Sequence, residues 1–247
     1  MKQAVFKIKA NEKTARDVFK IELCGDTSGI TAPGQFVNIK LDGFYLRRPL
    51  SVCDVADGTL TLIYKTVGSG TRYLSTLKNG EKLDILTGLG NGYDTSKSGG
   101  SPLLIGGGVG VPPLYLLAKK LVSQGKTPAA VLGFGSADDV FLKDELEALG
   151  VKVYITTIDG SYGEKGIVTD IIKRLDYSYF YACGPEAMLR ALCENTKTSG
   201  QLSFEERMGC GFGACMGCSC MTLTGAKRIC KEGPVLEKEE IIWPTQK

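Results

Sequence analysis

PLLIGGGVGVPPLYLLAKKL, residues 102–121, runs from a short apolar stretch through four glycines in five positions into a helical pattern. Strand, glycine turn and helix in that order make the phosphate-cradling unit of dinucleotide sites. Glycine lets backbone N–H groups come close to a phosphate, and the helix dipole favours its charge. The stretch departs from the Rossmann fingerprint, because Gly108-x-Gly110-x-x-Pro113 puts proline where the third glycine belongs. Proline is at home in a first helical turn. Taken alone, a tight strand–helix turn that binds nothing explains the stretch nearly as well.

Downstream the rhythm repeats. Apolar runs at Leu103–Ile105, Ala129–Phe134, Val151–Thr156 and Ser178–Ala182 alternate with helical segments near 112–123, 139–149, 166–175 and 186–198. Such alternation predicts a parallel α/β domain. GFGSADDVFLKDEL (133–146) closes the second strand with Asp138 and Asp139 and no arginine nearby in sequence. Acids suit ribose hydroxyls and a 2′-phosphate wants a cation, so the expectation is NAD(H) rather than NADP(H). The same acids also open a helix well. YFYACGPEAMLRAL (179–192) sets Cys183, Gly184 and Pro185 between strand and helix. Ligands bind at the carboxyl ends of parallel strands, so this tripeptide should face the same cleft as Gly106, Gly107, Gly108 and Gly110. Cys183 reads equally well as an inert buried thiol.

Upstream, residues 1–95 read as strands. Phe6–Ile8, Phe19–Leu23, Val37–Leu41, Leu60–Tyr64 and Leu83–Ile85 alternate apolar with polar neighbours, which predicts a small antiparallel barrel. NGYDTSKSGGSP (91–102) looks like the junction to the next domain. Two barrel stretches carry chemistry. In FYLRRPLSV (44–52) an arginine on a rigid strand can grip a pyrophosphate with its planar fork, and a serine three residues on can meet a polar ring edge. In LIYKTVGSGTRYLSTL (62–77) a strand meets Gly68-Ser69-Gly70-Thr71 before a short helix, another phosphate-type turn. Surface arginines and a helix capped by Thr71 are the plainer alternatives.

RMGCGFGACMGCSC (207–220) contains four cysteines and four glycines, and Cys230 follows. The spacing Cys210-x4-Cys215-x2-Cys218-x11-Cys230 is the plant-type 2Fe–2S pattern, whereas structural zinc sites use two C-x2–4-C pairs. Glycines suit a loop that wraps a cluster and turns backbone N–H groups to its sulfurs. Zinc ranks second, and Cys220 is left over as a spare thiol. A disulfide framework ranks last, since nine cysteines leave one unpaired and the chain reads as cytoplasmic.

Composition narrows the field. Thirty basic against twenty-seven acidic residues give +3, too balanced to point to nucleic acid or an anionic membrane. No stretch approaches the roughly 20 apolar residues of a membrane span. The chain has no histidine, which excludes a Cys–His zinc finger, a Rieske centre and a Ser–His–Asp triad.

In order, RRPLSV, GSGT, IGGGVGVPPL, ACGP and EERMGCGFGACMGC resemble the electron transfer subunits of dihydroorotate dehydrogenase (NAD+-linked, class 1B type), within the ferredoxin–NADP reductase-like superfamily. DGSYGEKGIVTD (159–170) and EERMGCGFGACMGC (205–218) are the most specific parts. The resemblance implies an FAD-binding barrel over 1–97, an NAD(H)-binding α/β domain over 98–202 and a 2Fe–2S segment over 203–247. It assigns Arg48, Pro49, Leu50, Ser51, Ile63, Tyr64, Lys65, Gly70 and Thr71 to FAD. It assigns Cys210, Cys215, Cys218 and Cys230 to the cluster. It also implies a partner, an FMN-containing dihydroorotate dehydrogenase catalytic subunit, in a heterotetramer with two copies of each chain. The chain itself offers no base for taking a proton from dihydroorotate. Met208, Phe212 and Met216 are expected either to meet that partner or to shield the cluster. Two rivals stand beside this reading. One is the small subunit of an NADH-dependent ferredoxin–NADP oxidoreductase or of a sulfide dehydrogenase; the other is a zinc-holding interaction module.

Overall fold

The computed structural model describes residues 1–243, so the last four positions of the cysteine-bearing segment lie outside it. Six antiparallel strands close into a barrel in the order β1-β2-β5-β4-β3-β6. They are β1 (Lys2–Ala15), β2 (Val18–Cys24), β3 (Phe36–Ile39), β4 (Arg48–Ala56), β5 (Thr59–Lys65) and β6 (Lys82–Leu89), and helix α1 (Ser69–Thr76) joins the last two. Alternation does the work here. Phe6 and Ile8 on β1 and Ile21 and Leu23 on β2 fill the interior, while Lys7, Lys9 and Glu22 between them stay toward water.

A seven-stranded sheet follows, in the order β10-β9-β8-β7-β11-β12-β15. Its strands are β7 (Leu103–Gly107), β8 (Ala129–Phe134), β9 (Lys152–Thr157), β10 (Glu164–Lys165), β11 (Phe180–Cys183), β12 (Gly200–Ser203) and β15 (Val235–Glu237). Every pairing is parallel except β12 with β15. Helices α2 (Pro112–Ser123), α3 (Lys143–Ala148), α4 (Val168–Ile172) and α5 (Glu186–Asn195) connect the strands. β7 is buried throughout, as a strand covered on both faces must be. The strand order reverses beside β7, between β8 and β11, and a crevice at that point is where ligands of such sheets bind.

Two helices are shorter than their sequence patterns predict. The segment near 139–149 begins only at Lys143, because a 3-10 turn at Ala137–Asp139 and a left-handed Leu142 (φ 61°) precede it. The segment near 166–175 is helical only over Val168–Ile172. The cysteine segment adds a hairpin, β13 (Ser219–Thr222) with β14 (Gly225–Arg228), and sends β15 back to the sheet edge.

The three parts share cores. Cys53 and Ile63 of the barrel are packed in one cluster with Val111, Leu114 and Leu132 of the sheet layer. On another side, Phe36, Leu86 and Leu89 of the barrel pack with Cys218, Ile229, Cys230 and Leu236. The barrel therefore touches both neighbours. The junction stretch 91–102 is itself anchored. Asn91 donates to the Val235 carbonyl (2.7 Å), and the buried Tyr93 hydroxyl donates to the Ala182 carbonyl (2.9 Å).

Candidate cofactor sites

The barrel site begins with two adjacent arginines that have separate roles. Arg47 is committed to the fold: its Nη1 donates to the Asp84 carboxylate (3.0 Å), the Asp84 carbonyl (3.1 Å) and the Asn38 carbonyl (3.3 Å). Arg48 instead lies over Gly70, where a methyl group would come within 2.2 Å of its Nε. The Arg48 guanidinium sits 4.9 Å from the Phe44 ring centroid and donates to the Leu46 carbonyl. A guanidinium above the opening turn of α1 gives the two kinds of donor a diphosphate needs.

Thr71 is not the N-cap of α1. Gly68 is, and Thr71, at the third helical position, reaches back to accept from the Val67 N–H (3.0 Å) and the Gly68 N–H (3.2 Å). Its hydroxyl shapes the turn rather than reaching outward.

On β4, Pro49, Leu50 and Ser51 are half-buried, and Leu50 leans on the barrel core. On β5 the alternation separates neighbours. Tyr64 is buried inside the barrel, stacked on Phe19 and donating to Asn11 (3.0 Å), so burial holds its hydroxyl well above the usual value. Ile63 faces the sheet layer and Lys65 is exposed. The side chain of Tyr64 is thus occupied, and only its backbone is left for a ligand. Arg48, the Ser51 hydroxyl and the buried Asn38 Oδ1, an acceptor without a protein donor, fit a flavin nucleotide.

The sheet site lies at the crevice. The β7 and β11 turns interlock: a methyl on Gly110 would meet the Cys183 carbonyl oxygen at 2.3 Å, and one on Gly107 would meet Pro185 Cδ at 2.9 Å. Gly106 is pressed against Val111. Gly108, by contrast, adopts φ +52° and faces open space. Three of the four glycines therefore allow packing and one leaves room for a ligand. Pro112 and Pro113 occupy the first two positions of α2, where no N–H is needed. The cradle fits a dinucleotide. Cys183 belongs to the packing, and burial pushes its thiol up to about 12. Beside Gly184 and Pro185 lies a cavity of about 480 Å³, walled on its far side by Cys220, Met221 and Trp243.

Asp139 has a different role from the one its place in the chain suggests. Arg16, 123 positions upstream, donates to both its oxygens (3.1 and 2.6 Å) and to Ser136 Oγ (3.0 Å). The carboxylate ties the barrel to the sheet and is not free for a ribose. The NAD(H) preference therefore draws no support from Asp139. Burial opposes the charge, but Arg16 and Ser136 together hold the carboxyl below its usual range.

The four cysteines lie on one loop and one buried flank, in two pairs. Cys210 Sγ accepts from the Ala214 N–H (3.2 Å) and the Cys215 N–H (3.4 Å), and Cys218 Sγ accepts from the Cys230 N–H (3.4 Å). Burial raises the Cys210 thiol, yet N–H donors from Cys215, Phe212 and Ala214 outweigh it and bring it down to about 6. Burial and the adjacent Cys218 push Cys230 up to about 12. A binuclear cluster takes four thiolates, and two pairs with N–H groups turned to sulfur fit that demand. Among the described residues, no three His, Cys, Asp or Glu side chains already stand as ligands around one metal point.

Cys215 is exposed, with Phe212 and Met216 beside it at 43% and 55% exposure, whereas Met208 packs inward. The cluster loop is thus nearest the surface at Cys215. Two residues of this region carried no signal in the sequence. Asn38 donates to the Cys210 carbonyl (3.2 Å), and Arg228 donates to the Gly213 carbonyl (2.6 Å). Asn38 lies far along the chain from the backbone it holds, and Arg228 occupies one of the unspecified positions between Cys218 and Cys230.

A flavin-type barrel, a parallel sheet with its switch-point crevice and an appended cysteine loop define an oxidoreductase of the ferredoxin-reductase fold. A ferredoxin NADP+ reductase from Neisseria gonorrhoeae shares that fold at a TM-score of 0.68 with 16% identity, over 79% of this chain and 90% of that one. Residues 104–194 match the family "Oxidoreductase NAD-binding domain", and residues 205–242 match "Iron-sulfur cluster binding domain of dihydroorotate dehydrogenase B". The chain is 43% identical to a Bacillus velezensis protein named "Dihydroorotate dehydrogenase B (NAD(+)), electron transfer subunit", over 98% of this chain and 99% of that one. A Fusobacterium nucleatum protein of the same name is 41% identical, over 92% and 94%. The chain belongs to the family of dihydroorotate dehydrogenase B electron transfer subunits. A solved NADH-dependent reduced ferredoxin–NADP oxidoreductase chain is also similar, with a TM-score of 0.88 and 32% identity over 96% of this chain and 90% of that one.

Proposed function

We propose that this chain passes electrons between a dihydroorotate dehydrogenase catalytic subunit and NAD+, holding FAD and a 2Fe–2S cluster and using NAD(H) as co-substrate, in de novo pyrimidine (UMP) biosynthesis. Arg48, Pro49, Leu50, Ser51, Lys65, Gly70 and the backbones of Ile63, Tyr64 and Thr71 hold the flavin. The Gly106–Gly110 turn, with Gly184 and Pro185, receives the nicotinamide nucleotide. Cys210, Cys215, Cys218 and Cys230 ligate the cluster. A bound flavin takes a hydride pair and gives up electrons singly, which is what a hydride carrier and an iron–sulfur cluster require between them.

The observation that carries the reading is that the barrel packs on both of the other parts. It packs on the sheet through Cys53 and Ile63 and on the cluster segment through Phe36 and Leu89. A two-electron to one-electron converter has to stand in that position. The protein's own part is to grip phosphates with Arg48 and backbone N–H groups, to exclude water with the shared cores, and to hold the thiolates.

The finer statements belong to the same proposal. The partner carries FMN and supplies the proton-abstracting base this chain lacks. It docks near Cys215, Phe212 and Met216, in a cytoplasmic heterotetramer with two copies of each chain. The functional divisions fall at 1–97, 98–202 and 203–247. Among the described residues no helix is long and apolar enough to cross a membrane.

The deciding experiment is dihydroorotate-dependent NAD+ reduction by a complex isolated anaerobically through a tag on this chain. Activity in the complex, absent from this chain alone, supports the reading. A flavin- and iron-containing complex that ignores dihydroorotate moves the function to the ferredoxin–NADP oxidoreductase relatives. A colourless protein with bound zinc overturns it.

A further inference from the structure

A trans peptide is planar, so its carbonyl and the N–H that follows point in opposite directions. Whatever pins a carbonyl on the outside of a loop therefore aims the next N–H inward. In the cysteine loop two carbonyls are pinned in this way, and for one of them the following N–H meets a sulfur. Arg228 Nη1 donates to the Gly213 carbonyl (2.6 Å), and the N–H of that same peptide, on Ala214, donates to Cys210 Sγ (3.2 Å). Asn38 Nδ2 donates to the Cys210 carbonyl (3.2 Å), directing the Gly211 N–H away from the barrel.

Neither clamp is loose. The Arg228 fork is held by Glu232, whose Oε2 accepts from Arg228 Nε (2.9 Å) and from the Arg228 N–H (2.9 Å), and whose Oε1 takes a further contact from Nη2. Asn38 is 1% exposed, and its own carbonyl accepts from Arg47. Gly211 and Gly213 lie hard against this surround. A methyl on Gly211 would come within 2.3 Å of Asn38 Nδ2, and one on Gly213 within 2.6 Å of Lys231 Cδ.

We propose that Arg228, braced by Glu232, and Asn38 are positioning residues that aim the loop amides at sulfur and so set the reduction potential of the cluster. The inference rests on reading the four cysteines as 2Fe–2S ligands. Reduction adds negative charge to a cluster, and N–H donors and nearby cations stabilise that charge. Arg228 stands two positions before Cys230, and its guanidinium reaches the cysteine loop at Gly213, so a cation also lies beside the ligands. Both effects raise the potential. Removing Arg228 lowers it.

The test is anaerobic redox titration of the isolated holoprotein, followed by the electron paramagnetic resonance of the reduced cluster, in wild type, Arg228→Met, Arg228→Lys and Asn38→Leu. The expected result is a more negative midpoint with altered g values in Arg228→Met. Arg228→Lys, which keeps the charge and loses the fork, should recover part of the shift. Asn38→Leu should change the g values of the reduced cluster. An Arg228→Met protein with full iron and sulfide content, unchanged midpoint and unchanged g values overturns the inference. Should Arg228→Met fail to assemble a cluster, Glu232→Gln carries the test, since it leaves the guanidinium in place without its brace. A smaller negative shift supports the inference and no shift overturns it. A wild-type protein that shows no 2Fe–2S signal defeats the cluster reading instead, so the two failures are distinct.

Discussion

Gly110 and Gly211 both sit where a side chain cannot, for different reasons. At Gly110 the obstacle is another backbone: the Cys183 carbonyl oxygen would lie 2.3 Å from an added methyl, and the turn is glycine-rich so that β7 and β11 can meet. At Gly211 the backbone itself is left-handed, at φ +77°, and a side chain, Asn38, fills the space. One region uses glycine to bring two strand ends together at the crevice proposed for a nucleotide. The other uses it to turn peptides around so that their N–H groups face sulfur. The nucleotide turn should therefore respond to substitution through packing and the cysteine loop through the cluster.

The sharpest break in the comparison comes from removing a thiol. Cys218→Ser should bring iron content close to zero and abolish the visible absorbance of the cluster, while NADH still reduces the flavin. Retained iron at wild-type stoichiometry would remove Cys218 from the ligand set. Next in size is the arginine pair. Arg48→Ala should weaken FAD retention roughly 10- to 100-fold by losing a charge-assisted contact. Arg47→Ala, which loses a mostly buried ion pair and two hydrogen bonds to backbone carbonyls, should keep its flavin and lose about 1–3 kcal/mol of stability. Flavin content after dialysis and thermal unfolding would separate the two, and equal flavin loss in both variants would contradict the division of roles.

Gly110→Ala should cost about 1–3 kcal/mol by overpacking and raise the KM for NADH without disturbing the cluster signal. Gly211→Ala should cost about 1–2 kcal/mol for the left-handed backbone and disturb the cluster signal with the NADH KM unchanged. If both variants altered the same observable, the two glycine regions would not be distinct.

The smallest effect concerns the tie between barrel and sheet. The folded Asp139 carboxyl titrates below its usual range, so its contribution is present above the ordinary carboxylate value and is lost as pH falls through the folded one. The Tm difference between wild type and Asp139→Asn should be constant from about pH 5 to 8 and shrink below about pH 4. A difference that grows in acid would reverse the assignment.

Much of this was legible from local pattern. Alternation located the barrel strands, and the 103–105, 129–134, 151–156 and 178–182 runs became adjacent strands of the parallel sheet. The cysteine spacing pointed to the loop, and the loop is where N–H groups meet sulfur. What was not legible is nearly all long-range. Arg47 and Arg48 are identical letters side by side, and only Asp84 and Gly70 tell them apart. Asp139 looks free until a barrel arginine 123 residues away is brought beside it. Tyr64 reads as one more residue of a flavin motif, yet its ring faces the barrel core. The β13–β14 hairpin lacks the apolar alternation that flags a strand, because its short strands carry Ser219, Thr222, Lys227 and Arg228.

The packing of Phe36, Leu86 and Leu89 against Cys218, Ile229 and Leu236 sets an order of assembly. All the barrel strands have been synthesised by Leu89, but the residues that cover this apolar strip come almost last in the chain. At typical synthesis rates the strip faces water for on the order of ten seconds. During that interval the nascent barrel is open on the side where the cluster will sit, and the cysteine loop reaches it only when the rest of the fold is already made. The cysteine segment is therefore among the last parts to fold, and a chain cut short before Cys218 should leave one apolar flank of an otherwise built barrel uncovered.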